Sequence, residues 1–181
     1  VALSGEGADE LFGGYNTYLA DAYAARLRLV PKPVRRAAAA LARGLQRVAV
    51  IDFDVHHGNG TQEAFWRDRR VLFVSSHQFP YYRGTGALDE VGEGDGRGFT
   101  VNLPMPSGQK DGEYRRAYRE IVEPIGRAFD PELVLVSAGF DAHVDDPLAG
   151  MLVTEEGFRE MAARCTQLAP RVAAVLEGGY N

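Results

Sequence analysis

The sequence predicts an α/β fold, in which a parallel sheet is covered by helices on both faces. Short apolar segments without polar alternation recur along the chain, and segments with helical spacing separate them. Strands that alternate with helices form parallel sheets, and unbroken apolar strands are buried on both faces. A chain of 181 residues can bury one core of this kind. The predicted strands are 47–53, 71–74, 99–103, 133–136 and 172–176, and the predicted helices are 62–67, 112–129 and 154–168.

The first predicted strand ends in a group of metal-ligand side chains. The apolar run 48–51 is followed by Asp52, Asp54 and His56. Residues two apart in a strand project to the same side, so Asp54 and His56 can reach one point. Because α/β sheets bind ligands at the carboxyl ends of their strands, this pair predicts half of a metal site. An isolated pair of this kind also occurs by accident in proteins that bind no metal.

A second strand end supplies the missing half of that site. The apolar run 133–136 leads through small residues to Asp141. Ends of parallel strands lie at one edge of the sheet, so Asp141 can complete a site begun by Asp54 and His56. Three protein ligands leave a fourth position open, as in catalytic zinc sites. This oxygen-rich set also suits iron or manganese.

Two further features surround this edge. The last predicted strand leads through two glycines to Tyr180, whose phenol could stabilise an oxyanion. The alternative is a surface tyrosine. The loop 78–98 has no regular period, and loops of this length are usually functional. Glycine-rich flexibility without a function is the alternative for that loop.

The composition predicts a cytoplasmic globular protein. The net charge of −5 argues against a nucleic-acid-binding surface. No apolar stretch of about 20 residues and no signal-peptide pattern is present, so no membrane partner is expected. The single cysteine, Cys165, permits no internal disulfide and suits a reducing compartment. The sequence makes no prediction of oligomeric state.

Four motifs, in the same order, resemble the histone deacetylase family, which includes acetylpolyamine amidohydrolases. They are DFDVHHGNGTQ, YYRGTGALDEVGEGDGRGFTVNLP, SAGFDAHVDDPLAG and LEGGYN, and the resemblance runs from about residue 47 to 181. The resemblance implies an arginase/deacetylase-like fold without its N-terminal part. It also implies a zinc-dependent hydrolase that removes acetyl groups from acetyl-lysine peptides or acetylpolyamines.

The same resemblance assigns roles to individual residues. Zinc would be bound by Asp54, His56 and Asp141, and Tyr180 would polarise the acetyl carbonyl. Tyr82 would form an aromatic wall of the acetyl-lysine tunnel, and Gly139 is also expected at the substrate site. Asp52 and Ser75 match positions around a structural monovalent cation, usually potassium. Asp52 also matches the carboxylate that partners a catalytic histidine of the family.

One catalytic part of that family is missing from the sequence. The family carries its general base on a pair of adjacent histidines upstream of the zinc ligands. This chain contains only His56, His57, His77 and His143, so impaired activity is expected. His57 could substitute as a catalytic base, although a supporting role beside the metal is the alternative.

The first quarter resembles a different family. The segment VALSGEGADELFGGYNTY is similar to the synthetase domain of glutamine-hydrolysing asparagine synthetase, and Glu6 and Asp9 match its site of ATP-dependent aspartate activation. The SGGxDS loop of that family is absent, so the sequence predicts an incomplete segment at 1–46 and a partial deacetylase-like domain at 47–181. The abrupt change near residues 43–47 suggests a recombined, misassembled or joined sequence, and Val1 suggests a start inside a longer reading frame.

Three functions therefore remain open after the sequence analysis. The chain could be a zinc-dependent deacetylase with impaired base catalysis. It could be a fragment of an ATP-dependent asparagine synthetase. It could also be a catalytically silent metal-binding module.

Overall fold

Five parallel strands form the centre of the molecule. The structure is a computed structural model that describes residues 31–81 and 84–180. The strand order is β3-β2-β1-β4-β5, and each neighbouring pair is parallel, which confirms the predicted fold class. The strands are β1 (Val48–Asp52), β2 (Val71–Gln78), β3 (Thr100–Met105), β4 (Leu133–Ala138) and β5 (Val172–Leu176).

Helices cover both faces of this sheet. All five residues of β1 are buried, and the side chains of the first four alternate between two apolar clusters. Val48 and Val50 belong to the cluster on one face, whereas Ala49 and Ile51 belong to the cluster on the other. The helices are α1 (Lys32–Ala42), α2 (Asn59–Phe65), α3 (Asp111–Ala117), α4 (Glu123–Phe129) and α5 (Glu155–Cys165). None of the helices in the described ranges is long and apolar enough to cross a membrane.

Helix α1 is an integral part of the domain core. Its residues Val34, Ala37 and Ala40 are buried in the same cluster as Val50 and Phe73. The sequence motifs predict that this stretch belongs to the segment before the deacetylase-like domain. In the structure, α1 packs on a face of the sheet because its small apolar side chains repeat with helical spacing.

The predicted helix 112–129 is interrupted at its centre. A π-helical turn, Tyr118–Val122, separates α3 from α4. Pro124 lies in the first turn of α4 and has no backbone N–H to donate to the preceding turn. The proline therefore accounts for the local change of hydrogen-bonding pattern.

The predicted functional loop 78–98 divides into two parts. Gln78 belongs to β2, and Tyr81 approaches the carboxyl edge of the sheet. The later part packs beside α2, where the Glu93 amide donates to the Trp66 carbonyl at 2.9 Å. Among the described residues of this loop, Tyr81 therefore approaches the predicted site, and Glu93 contacts the end of α2.

Candidate metal centre

The three predicted metal ligands lie together at the carboxyl ends of β1 and β4. Asp54, His56 and Asp141 each offer a ligand atom, and these atoms are all within 4.8 Å of one another. The Nδ1 atom of His56 is 2.9 Å from Asp141 Oδ2 and 3.1 Å from Asp54 Oδ1. The pairing of Asp52 with Ser137 aligns the ends of the two strands, so both loops emerge at one point.

Backbone amides orient the two carboxylates. The Val55 amide donates to Asp141 Oδ1 at 2.8 Å, and the Gly178 amide donates to Asp54 Oδ2 at 2.9 Å. The His56 amide donates to Asp54 Oδ1 at 2.8 Å. These bonds fix both carboxylates, as supporting hydrogen bonds commonly do for metal ligands.

Two glycines allow the backbone to approach these carboxylates closely. A Cβ atom on Gly178 would lie 2.2 Å from Asp141 Oδ2 and 2.6 Å from Asp54 Oδ2. A Cβ atom on Gly139 would lie 2.2 Å from Asp54 Oδ2. The predicted place of Gly139 at the substrate site stays a prediction, and its close neighbour in the structure is the side chain of Asp54. Gly139 therefore makes room for a predicted metal ligand.

The electrostatics of this cluster favour a bound cation. Hydrogen bonds with Asp141 and Asp54 raise the pKa of His56 to about 10. Burial raises the pKa of Asp141. Burial also acts to raise the pKa of Asp54, but hydrogen bonds from His56 and Gly178 outweigh it and lower that pKa. A proton on His56 thus sits between two carboxylates, and two carboxylates with one imidazole fit the donor set of a catalytic zinc ion.

Asp52 lies below the cluster and is almost fully buried. Burial, followed by the charge of Asp54, raises its pKa well above the usual range, and its Oδ1 accepts the Asp54 amide at 3.1 Å. Ser75 is its neighbour on β2, and the Ser75 hydroxyl lies 3.0 Å from His77 Nδ1. The roles of Asp52 and Ser75 around a structural cation stay a prediction.

His57 belongs to a buried polar network. Its Nδ1 lies 2.8 Å from the Thr85 hydroxyl, and its Nε2 lies 3.1 Å from Gln62 Oε1. Its ring is 4.7 Å from the ring of His77, and burial lowers the pKa of His57. Both ring nitrogens of His57 therefore have partners in this network, and its catalytic and supporting roles both stay predictions.

Two tyrosine rings flank His56. The Tyr180 ring centre lies 6.5 Å from that of His56 in an edge-on arrangement, and the Tyr81 ring centre lies 5.3 Å away. Burial, followed by the charges of Asp141 and Asp54, raises the pKa of Tyr180, so its phenol remains a hydrogen-bond donor at neutral pH. Sequence reasoning missed Tyr81, although the neighbouring pair of tyrosines is a visible signal.

Three residues singled out in the sequence lie outside the described ranges. They are Tyr82, expected in the wall of the substrate tunnel, and the synthetase-like pair Glu6 and Asp9. Their roles stay predictions.

The fold and the cluster define a parallel α/β protein with a metal-ligand triad at the carboxyl edge of its sheet. A sequence profile described as "Histone deacetylase domain" matches residues 34–181. The chain belongs to the histone deacetylase family. The match confirms the family that the sequence motifs predict.

Curated proteins and solved structures agree with this assignment. The chain is 46% identical over 146 residues to "Probable deacetylase" of Archaeoglobus fulgidus, covering 78% of the chain and 41% of that relative. It is 49% identical over 143 residues to "Histone deacetylase 10, chloroplastic" of Oryza sativa subsp. japonica, covering 76% of the chain and 32% of that relative. The structure titled "Crystal Structure of HDA15 HD domain" matches with a TM-score of 0.77 and 44% identity, covering 80% of this chain and 42% of that one. The chain thus spans less than half the length of these proteins.

The family match also bears on the first quarter of the chain. It begins at residue 34, upstream of the boundary predicted near residue 47, so most of helix α1 falls within the matched region. The comparisons give no support for an asparagine-synthetase-like segment. The joined-sequence hypothesis and the cytoplasmic location stay predictions.

Proposed function

We propose that this chain carries the metal-binding part of a zinc-dependent deacetylase that removes acetyl groups from acetyl-lysine or acetylated amines. The observation that carries the proposal is the convergence of Asp54, His56 and Asp141 beside Tyr180. Membership of the histone deacetylase family supports the same reaction class.

The three clustered residues would hold the metal. Asp54, His56 and Asp141 would bind through their carboxylate and Nδ1 atoms, and ferrous iron fits the same set. When bound, zinc lowers the pKa of a coordinated water and polarises the acetyl oxygen. Asp52 and Ser75 would hold a separate monovalent cation below the cluster.

Aromatic side chains would hold the substrate. The phenol O–H of Tyr180 would donate to the acetyl carbonyl oxygen and stabilise the negative charge that develops there. The ring of Tyr81 lies against His56, where it can pack on the apolar part of an acetylated amine. Tyr82 would add a second ring to this wall.

The proposed reaction needs a general base, and three of the four histidines of the chain are already engaged by other groups. His56 bonds with two carboxylates, and both nitrogens of His57 are engaged by Thr85 and Gln62. His77 bonds with Ser75 and with the Gly86 carbonyl. We therefore expect slow turnover by this chain alone. The same observation favours the second candidate, a metal-binding module without catalytic activity.

The decisive experiment combines zinc titration with an acetyl-lysine peptide assay. The deacetylase proposal predicts stoichiometric zinc binding and slow release of acetate, which added imidazole should accelerate by acting as a base. Tyr180→Phe should lower the rate about 100-fold or more, as expected when an oxyanion donor is removed, while zinc binding persists.

Tyr114→Phe provides the matched control. The Tyr114 hydroxyl is buried and has no hydrogen-bond partner among the described residues, so its removal should leave both zinc binding and turnover unchanged. Zinc binding without acetate release, with or without imidazole, would establish the silent module. Failure to bind zinc would reject both candidates.

A further inference from the structure

Asp146 lies in the loop after β4 and connects that loop to the segment that carries Tyr180. Its side chain is buried, with a relative exposure of 8%. Asp146 Oδ2 accepts the Tyr180 amide at 3.0 Å, and Asp146 Oδ1 accepts the Leu148 amide at 2.9 Å. We infer that Asp146 is a positioning residue that sets the place of Tyr180 relative to the metal triad. This inference rests on the proposed function, because it assigns Tyr180 a part in catalysis.

Two carboxylates hold alternate amides of the segment that carries Tyr180. Asp54 accepts the Gly178 amide, and Asp146 accepts the Tyr180 amide. Between them lies Gly179, whose positive φ of 139° belongs to a backbone region that other residues rarely adopt. Glycine restricts its own backbone little, so the two carboxylates define the path of this segment.

The contacts of Asp146 also reach the other side of the site. The Leu148 carbonyl accepts the Tyr81 hydroxyl at 2.7 Å, and the Tyr81 ring lies against His56. Leu148 itself is 54% exposed. Asp146 therefore links the two tyrosines that flank His56, and losing it should move both of them.

The chemistry of the side chain explains why a carboxylate is needed here. Both neighbours of Asp146 are N–H donors, so each of its oxygens must accept. Asp146→Asn keeps one accepting oxygen but places an NH₂ donor against the second amide. Asp146→Ala removes both acceptors. We expect a graded loss, with the larger effect in Asp146→Ala.

Steady-state kinetics of the zinc-loaded full chain, with an acetyl-lysine peptide, test the positioning role. The inference predicts a kcat lowered about 10- to 100-fold in Asp146→Ala and less in Asp146→Asn, as is typical when supporting partners of a site are removed. The zinc affinity should change by less than about twofold, because the triad keeps its own amide donors. Asp145→Asn is the matched control, since the neighbouring Asp145 side chain is 70% exposed.

Amide hydrogen exchange, measured by NMR on the same proteins, directly tests the hydrogen bonds from the Tyr180 and Leu148 amides to Asp146. The Tyr180 and Leu148 amides should exchange about tenfold faster or more in Asp146→Ala, one of them should do so in Asp146→Asn, and neither should in Asp145→Asn. Unchanged exchange in Asp146→Ala, or an unchanged kcat, would overturn the inference. Absence of zinc binding and turnover in the unmodified chain would instead overturn the proposed function, and the exchange result would still decide the contact.

Discussion

The carboxyl ends of β1 and β5 carry different residues of the candidate site, and the two strands differ in burial and in their position in the sheet. β1 lies between β2 and β4, and all five of its residues are buried. β5 pairs with β4 alone among the described strands, and its Leu176 is 66% exposed. Asp54 and His56 therefore extend from the centre of the sheet, whereas Tyr180 extends from its edge.

This difference between centre and edge distinguishes the residues proposed to bind the metal from the tyrosine proposed to act in catalysis. The metal ligands follow two strands, β1 and β4, and each of these strands is hydrogen-bonded to neighbours on both sides. Tyr180 depends on individual contacts made by Asp54 and Asp146. Changes at the centre should affect folding or metal binding, whereas changes at the edge should affect turnover first.

Removal of a central ligand should have the largest effect. Asp141→Ala should lower zinc affinity about 100- to 1000-fold, because a structural zinc site contributes about 10–16 kcal/mol through some four ligands. Isothermal titration with zinc measures this loss. Asp145→Ala, with its exposed side chain, should bind zinc as the unmodified chain does. Equal zinc affinity in both variants would show that the ion binds elsewhere.

Truncation of one side chain in each strand compares the two regions directly. Ile51→Ala in β1 should lower the free energy of unfolding by about 3 kcal/mol, because Ile51 is fully buried. Leu176→Ala in β5 should lower it by about 0.5 kcal/mol or less, because that side chain is largely exposed. Urea denaturation of both variants gives the comparison, and equal losses would refute the contrast between centre and edge.

The close approach of Gly178 to the carboxylates should also be measurable. Gly178→Ala places a methyl group against Asp141 and Asp54, so zinc affinity should fall about 10- to 100-fold. Gly112→Ala in helix α3 is the control, because no atom of the described part of the chain lies within 4 Å of its added Cβ and alanine favours a helix. If Gly178→Ala bound zinc with unchanged affinity, the close approach of Gly178 to the Asp54 and Asp141 carboxylates would not be needed for zinc binding.

The smallest effect is expected just before the amino-terminal end of β2, away from the candidate metal site. The hydrogen bonds of Arg70 lower the pKa of Asp68, so the stability that Asp68 contributes is present above about pH 4 and is lost as the pH falls through its folded pKa. Asp68→Asn should therefore cost about 0.5 kcal/mol at pH 7 and less at pH 3. Urea denaturation at both pH values tests this sign, and a larger cost at pH 3 would contradict it.

The sequence predicts the sheet and the ligand cluster for the same physical reason. Unbroken apolar runs identify the buried strands, and the spacing of Asp54 and His56 after such a run fixes the side on which they project. Parallel pairing then brings Asp141 to the same edge. These inferences need only local periodicity and one rule of topology.

Long-range contacts account for what the sequence does not predict. Asp146 and Tyr180 are 34 positions apart, and Tyr81 and Leu148 are 67 apart. No local pattern indicates which amide or carbonyl such side chains meet. The placement of α1 on a face of the sheet likewise depends on the shape of the surface that receives it.

The most direct test of the metal centre is X-ray absorption spectroscopy at the zinc edge of the zinc-loaded chain. The account predicts a first shell of oxygen and nitrogen at about 2.0–2.2 Å, with one imidazole and no sulfur. In Asp141→Ala this spectrum should be lost at equal zinc concentration. A sulfur shell at about 2.3 Å, or two imidazoles as expected for a site at His57 and His77, would contradict it.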